Sequence, residues 1–230
     1  KMLLEGKAKL AIYLSAIGSL YGVFIAIFMM PIMFLFLETV YIWIKNFVAY
    51  ILIFITVFLI SLEKGNKNKL WALVIVFFSG GLGLLTLNAA IIEQQLFLLF
   101  TGLFGISNLI YSMKNEEGKI PNQKERGEHS ISKKELCIGL SSSGVAGTMC
   151  SIFPGLGNAQ AGVISTFFMK LNSSELLLVM FGAINTINFT VSFFTFYLIE
   201  RTRNGSIYVL SQILGTVSFE QIKLYLVLVI

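Results

Sequence analysis

The residues best suited to bind a ligand lie in one short stretch, "SIFPGLGNAQAGVISTFF", residues 151–168. Proline and glycine interrupt a helix there and leave backbone amides without helical partners. The start of the next helix carries a partial positive charge, and unhindered amides at such a position bind anions. Side-chain amides beside the break add directional donors. The predicted anion site consists of Pro154, Gly155, Gly157, Asn158 and Gln160.

A second polar segment, "NTINFT", lies at residues 185–190 inside another apolar run. We expect Asn185 and Asn188 to contact the same anion. Neutral oxygens at helix breaks can also hold sodium, whereas the interiors of the predicted spans contain no Asp, Glu, Lys, Arg or His for a proton relay. The pattern therefore leaves sodium open as a coupling ion, and it predicts no cofactor. The candidate sodium ligands are Ser141, Ser142, Ser143, Thr186 and Thr190.

Each of these polar residues also has a purely structural interpretation. A proline kink can serve packing alone, although packing does not require two glycines and two amides beside the kink. Serine and threonine hydroxyls often bond to their own helix backbone, and asparagines can pair across helices in a membrane. His129, the single histidine, lies in a charged segment and is interpreted as a solvated loop residue.

The composition indicates which elements must position these residues. The chain has 230 residues, of which 56% are hydrophobic and 13% are charged, about half the charged fraction of a soluble domain. The apolar residues form runs of about 17–25, the length that crosses a bilayer as a helix. We predict an all-α polytopic integral membrane protein with about six to seven membrane segments. The basic residues lie in loops between these runs, which excludes nucleic-acid binding.

The pattern of apolar runs and polar turns divides the chain into three parts. Residues 1–113 hold four predicted spans, residues 114–135 form a polar linker, and residues 136–230 form a second repeat. The second repeat begins with a predicted re-entrant hairpin over residues 136–170, with its tip at the proline and glycines, and continues with a span over residues 175–199. Small residues every four positions on the first hairpin arm predict close packing against another helix: Gly139, Ser143, Gly147 and Ser151.

Loop charges predict the orientation of the chain. The loops before the first span, after the second and after the fourth are rich in lysine, whereas Lys45 is the only basic residue in the loops of the opposite side. Basic loops stay in the cytoplasm. We therefore expect a multi-pass protein of the cell membrane with a cytoplasmic linker at residues 114–135.

Three segments resemble one transporter family. "FPGLGNAQAGVIS", "EGKAKLAIYLSAIGSLYG" at residues 5–22 and "GAINTINFTVSFFTFYLIERTRNGS" at residues 182–206 resemble the large permease subunit of tripartite tricarboxylate transporters, in particular an archaeal branch. The resemblance implies two related halves, each with its own Pro-Gly-x-Gly motif. Only the second copy, Pro154 to Gly157, is present, so we expect a fragment whose first copy precedes Lys1. It also implies two partners, a small membrane subunit and an extracytoplasmic binding protein.

The function predicted from these observations is that of a secondary transporter permease, ion-coupled, for a small organic anion of the carboxylate class. "NAQAG" stands where the family more usually continues with Pro-Thr, so a tricarboxylate is not specified. No nucleophile–base pair, metal-ligand spacing or phosphate loop indicates an enzyme. A carrier for a lipid-linked phosphate remains an alternative, because the same helix terminus suits a phosphate. A membrane scaffold without transport activity is the third interpretation.

Overall fold

A computed structural model describes residues 2, 5–88, 95–114, 121–123, 131–153, 156–169, 173–200, 202, 204–214 and 221. Within these residues every regular element is a helix, which confirms the all-α class. The helices are α1 Ala8–Ile44, α2 Val48–Leu62, α3 Asn66–Leu87, α4 Gln95–Phe100, a π-helical segment Thr101–Ile106, α5 Ser107–Lys114, α6 Lys133–Ile152, α7 Asn158–Met169, α8 Ser174–Ile199 and α9 Gly205–Leu214.

Three of the described helices are long and apolar enough to cross a bilayer: α1, α3 and α8. α2 is apolar but has only 15 residues. α1 continues to Ile44, with Pro31 inside the helix. Its exposed Glu38 lies about 45 Å from the start of the helix, farther than the thickness of a bilayer core.

The contacts divide the chain into two compact units. One comprises residues 1–53 and 121–230 and holds α1 and α6 to α9. The other comprises residues 54–120 and holds most of α2, then α3, α4, the π-helical segment and α5. α2 and the π-helical segment bury no residue, and the membrane-length window of α3 has none buried either. The site residues described below all belong to the first unit.

α1 packs along α8 with the two helices parallel. A Cβ atom at Gly22 would lie 2.9 Å from the Ala183 carbonyl oxygen, and one at Gly18 would overlap the backbone of Val179. Only residues without side chains allow helices to approach this closely. The small residues at the start of the first span therefore mark its contact with α8.

α6 packs on a second face of α8, also in parallel. A Cβ at Gly139 would lie 3.0 Å from Leu176 Cδ1, and one at Gly147 would lie 2.8 Å from Ile187 Cβ. Ser143 and Ser151, the other members of the four-residue repeat, are fully buried. The close packing predicted for this face is confirmed.

α7 runs in the opposite direction. Its first residue, Asn158, contacts Asn188 of α8, whereas a Cβ at Gly162, one turn later, would overlap the ring of Phe181. The contact thus moves toward the start of α8 as α7 proceeds. α6 and α7 form an antiparallel pair that brings the chain back to the end of the unit where α8 begins.

Residues 121–123 of the linker lie against the start of α1. The Ala8 backbone N–H donates to Gln123 Oε1 at 2.9 Å, and Gln123 Nε2 donates to the Pro121 carbonyl oxygen at 2.7 Å. Lys7, the residue before the helix, supplies no side-chain cap. The glutamine of the linker therefore caps α1 in its place.

Candidate functional site

The candidate site begins where α6 ends and α7 starts. Phe153 leaves the helical conformation with φ −86° and ψ 123°, and α7 starts at Asn158. Gly157 is exposed, and its carbonyl oxygen accepts from the Ala161 N–H at 3.1 Å, so Gly157 is the N-cap residue. A glycine offers no side-chain oxygen to the amides of the first turn. Pro154 and Gly155, predicted to complete the site, lie outside the described residues.

Three of the predicted residues form one hydrogen-bonded cluster. Asn188 Nδ2 donates to Asn158 Oδ1 at 2.9 Å, and Asn158 Nδ2 donates to Asn185 Oδ1. Asn158 thus joins two asparagines that lie three residues apart on α8, where such residues share one face. Asn185 is exposed, whereas Asn158 and Asn188 are half-buried.

Two serines support the buried end of this cluster. Ser151 Oγ, in the last turn of α6, lies 3.2 Å from Asn188 Oδ1 and 2.9 Å from the Gly147 carbonyl oxygen. Ser192 Oγ donates to the Asn188 carbonyl oxygen at 2.6 Å and lies 3.5 Å from Asn188 Oδ1. Ser151 and Ser192 are fully buried. The cluster therefore ties the end of α6 and the start of α7 to the middle of α8.

The sequence-based site did not include these serines. Ser151 was assigned to helix packing alone, and Ser192 received no role. Two signals point to them: Ser151 is the last polar residue before the Pro-Gly break, and Ser192 lies one helical turn after Asn188. Neither signal indicates which asparagine atom a hydroxyl will contact.

Gln160 lies apart from the asparagine cluster. Its side chain folds back toward the N-cap, so that a Cβ at Gly157 would lie 2.6 Å from Gln160 Oε1. Gln160 is exposed.

The predicted sodium ligands are spread over two helices. Hydroxyls of three of them donate to carbonyl oxygens of their own helix: Ser141 to Cys137 at 2.8 Å, Ser143 to Gly139 at 2.8 Å and Thr186 to Gly182 at 3.1 Å. Ser142 is half-buried, and Thr190 is buried. Ser143 lies about 12 Å from Ser151 along the α6 axis.

The site carries no formal charge in its described part. The charged side chains of α6 and α8 stand at the starts of these helices: Lys133, Lys134, Glu135 and Glu175. Glu175 lies about 15 Å from Asn185 along α8. The fixed positive potential near the cluster therefore comes from the N-terminus of α7 and from amide donors.

The comparison with known families identifies the chain. The sequence profile of the tripartite tricarboxylate transporter TctA family matches residues 1–226. The chain belongs to this family. The resemblance drawn from the three sequence segments is thereby confirmed. The family description is that of a transporter, which together with the apolar helices places this TctA member in a membrane.

A curated relative of this TctA family member is an uncharacterized protein of Methanocaldococcus jannaschii. The two are 29% identical over 212 residues, which cover 89% of this chain and 51% of the relative. The chain thus spans about half the length of the relative that it matches. No solved structure matches the chain.

Proposed function

We propose that the chain forms part of a secondary transporter permease that moves a small organic anion of the carboxylate class. The observation that carries this proposal is the cluster of Asn158, Asn185 and Asn188 at the start of α7. Polar amides that converge at a helix break are costly in hydrocarbon unless they line a wet cavity or meet a ligand. The uncharged donors and the helix terminus favour a negatively charged ligand, and membership of a transporter family supports transport as its purpose.

We further propose that α6 and α7 form a re-entrant hairpin. α7 has 12 residues and is about 18 Å long, which is less than the 30 Å of a bilayer core. α6 has 20 residues and runs parallel to α8, so α7 must return the chain to the side on which α6 began. Asn185 lies about 17 Å from the start of α8, near half the thickness of a bilayer core, which is the depth at which secondary transporters bind their substrates.

Sodium is the proposed coupling ion. The asparagine cluster offers carbonyl and hydroxyl oxygens without charge, and Ser142 and Thr190 add further hydroxyls on the same helices. Such neutral oxygens suit sodium. A proton relay needs ionisable groups within the membrane; the Glu and Lys side chains of α6 and α8 lie at the helix starts, and α7, Asn158–Met169, has none.

Family membership also supports partners and a location. We propose a multi-pass protein of the cell membrane, of the archaeal branch, that works with a small membrane subunit and an extracytoplasmic binding protein. The linker at residues 114–135 faces the cytoplasm in this arrangement. Genes for these two partners beside the gene of this protein would support the tripartite assembly.

Uptake by proteoliposomes tests the transport proposal. The complete gene product is reconstituted, and uptake of citrate and succinate is measured with and without an inward sodium gradient. We expect carboxylate uptake that the sodium gradient increases, and its loss in Gly157→Leu. The atoms nearest to a Cβ at this position belong to the flexible Gln160 side chain, so the variant can fold while the leucine covers the α7 amides. Gly80→Leu is the control, because a Cβ there meets no atom within 4 Å.

The same preparation separates the alternatives. Movement of polyprenyl phosphate without carboxylate uptake would replace the proposal with a lipid-phosphate carrier. Movement of neither class by a correctly folded protein would leave a membrane scaffold. Uptake that Gly157→Leu does not change would show that the anion does not approach the start of α7.

A further inference from the structure

The hydrogen bonds of the asparagine cluster all run in the same direction, from donor to acceptor. Asn188 turns its oxygen toward the serines and its Nδ2 toward Asn158. Asn158 then turns its own Nδ2 toward Asn185 Oδ1. Each amide therefore accepts from one side and donates to the next, and a chain of this kind polarises its members in one sense.

The buried end of this series of hydrogen bonds lies at Ser151. Its hydroxyl has one proton and lies near two oxygens of Asn188, Oδ1 at 3.2 Å and the carbonyl oxygen at 3.3 Å, besides the Gly147 carbonyl oxygen. Ser192 Oγ approaches Asn188 Oδ1 from the same helix. Ser192 donates its one proton to the Asn188 carbonyl oxygen at 2.6 Å, so Ser151 is the hydroxyl that can donate to Asn188 Oδ1, and the Nδ2 group of Asn188 lies on the opposite side, toward Asn158.

The other end of this series of hydrogen bonds lies at Asn185. Its Oδ1 accepts from Asn158, so its Nδ2 group points away from the chain, and it meets no acceptor among the described residues. Asn185 is the exposed member of the cluster and lies about 17 Å from the start of α8. That depth is near the middle of a bilayer core, where an unpaired amide is tolerated only in a wet or ligand-filled space.

We propose that Ser151, Asn188, Asn158 and Asn185 form an oriented donor chain that presents the two N–H groups of Asn185 to an anionic oxygen of the transported molecule. Asn185 is then the residue that contacts the ligand. Ser151 and Asn188 are positioning residues that act through Asn158. This assignment rests on the proposed function. It adds a role for Ser151 and a defined orientation for the side-chain amide of each of the three asparagines.

Binding measurements on purified variants of the complete gene product test the chain. Asn185→Asp keeps an oxygen that can accept from Asn158, but it replaces the outward donors with a negative charge. We expect its Kd for citrate to rise roughly 10- to 100-fold, because the hydrogen bond to a charged group is lost. Asn185→Ala removes the donors without adding charge and should weaken binding in the same direction.

Ser151→Ala tests the orienting role at a distance from the ligand. We expect binding about 3- to 10-fold weaker, since Asn188 Oδ1 loses the hydroxyl that can donate to it. The matched control is Ser165→Ala, because Ser165 is also buried but donates only to its own helix, at Ala161. Ser165→Ala should bind like the native protein. Thermal unfolding of each variant verifies that it is folded.

The outcomes distinguish a failure of the proposed function from a failure of the donor chain. Native protein that binds neither citrate, succinate nor polyprenyl phosphate would overturn the proposed function and the donor chain with it. Native binding that Asn185→Asp and Asn185→Ala leave unchanged would overturn the donor chain alone. Ser151→Ala that binds as Ser165→Ala does would overturn the orienting role of Ser151. If the native protein binds polyprenyl phosphate instead of citrate, and the two Asn185 variants lose that binding, the donor chain is supported. The anionic oxygen is then a phosphate oxygen.

Discussion

The contact between α1 and α8 leads to a quantitative prediction at Gly182. A Cβ there would overlap the Ser15 carbonyl oxygen and would lie 3.1 Å from the Ser19 backbone nitrogen. Both obstacles are backbone atoms, so no rotamer change relieves them. The helices must instead separate by about 1 Å to restore ordinary contact distances of about 3.5–4.0 Å, and such a gap forfeits a quarter to a half of the dispersion attraction.

The expected cost of Gly182→Ala follows from two opposing effects. Overpacking of a filled interface costs about 1–3 kcal/mol, whereas replacing glycine by alanine inside a helix returns about 1 kcal/mol. Gly80→Ala in α3 gains the same propensity without a clash, because a Cβ there meets no atom within 4 Å. The difference between the two variants therefore isolates the overpacking and should be about 1–3 kcal/mol, or roughly 2–12 °C in the unfolding midpoint.

A thiol-reactive dye measures this difference in a Cys137→Ser background. Cys150 is then the single cysteine, and it is buried in α6 at 4% exposure. The dye reacts with Cys150 when heating separates α6 from the rest of the unit formed by residues 1–53 and 121–230. Gly182→Ala should unfold below the native protein and Gly80→Ala at or above it. Equal midpoints for the two alanine variants would refute the backbone contact between α1 and α8.

Three further predictions concern other contacts of the chain. Gln123→Ala removes the cap of Ala8 and should destabilise the protein by about 1 kcal/mol, measured by the same unfolding assay; an unchanged midpoint would contradict the cap. Gly162→Leu places a side chain in the ring of Phe181 and should lower the yield of folded protein, whereas adding Phe181→Ala should restore it; failure of the double variant would contradict this contact. Ser130→Cys should react with a membrane-impermeant maleimide only from the cytoplasmic side, and labelling of intact cells would reverse the predicted orientation.

Much of the helical framework can be predicted from the sequence, because apolar runs and polar turns mark the same boundaries that hydrogen bonding produces. The predicted span at residues 175–199 corresponds to α8, Ser174–Ile199. The four-residue repeat from Gly139 to Ser151 marks the face of α6 that meets α8, since close packing requires small residues at that spacing.

The site was predictable only in part. The break between α6 and α7 could be predicted from proline and glycine, and the polar segment on α8 from its composition. That Asn158 reaches Asn185 and Asn188 could not be derived, because it depends on the antiparallel course of α7 and on a helical rotation that the sequence does not specify. For the same reason Gln160 was grouped with Asn158, although its side chain folds toward Gly157.

The position of the cluster follows from the cost of the helix break itself. Ending α6 and starting α7 inside an apolar region exposes backbone groups, and each unpaired group costs several kcal/mol in hydrocarbon. The side-chain hydrogen bonds of Asn158 return only about 0.6 kcal/mol each at typical membrane values. The described side-chain hydrogen bonds therefore offset only part of that cost, and in the proposed function water or a bound anion offsets the remainder. The proposed carrier function requires such a deficit, because a site that its own side chains fully satisfied would have no free donors for a substrate.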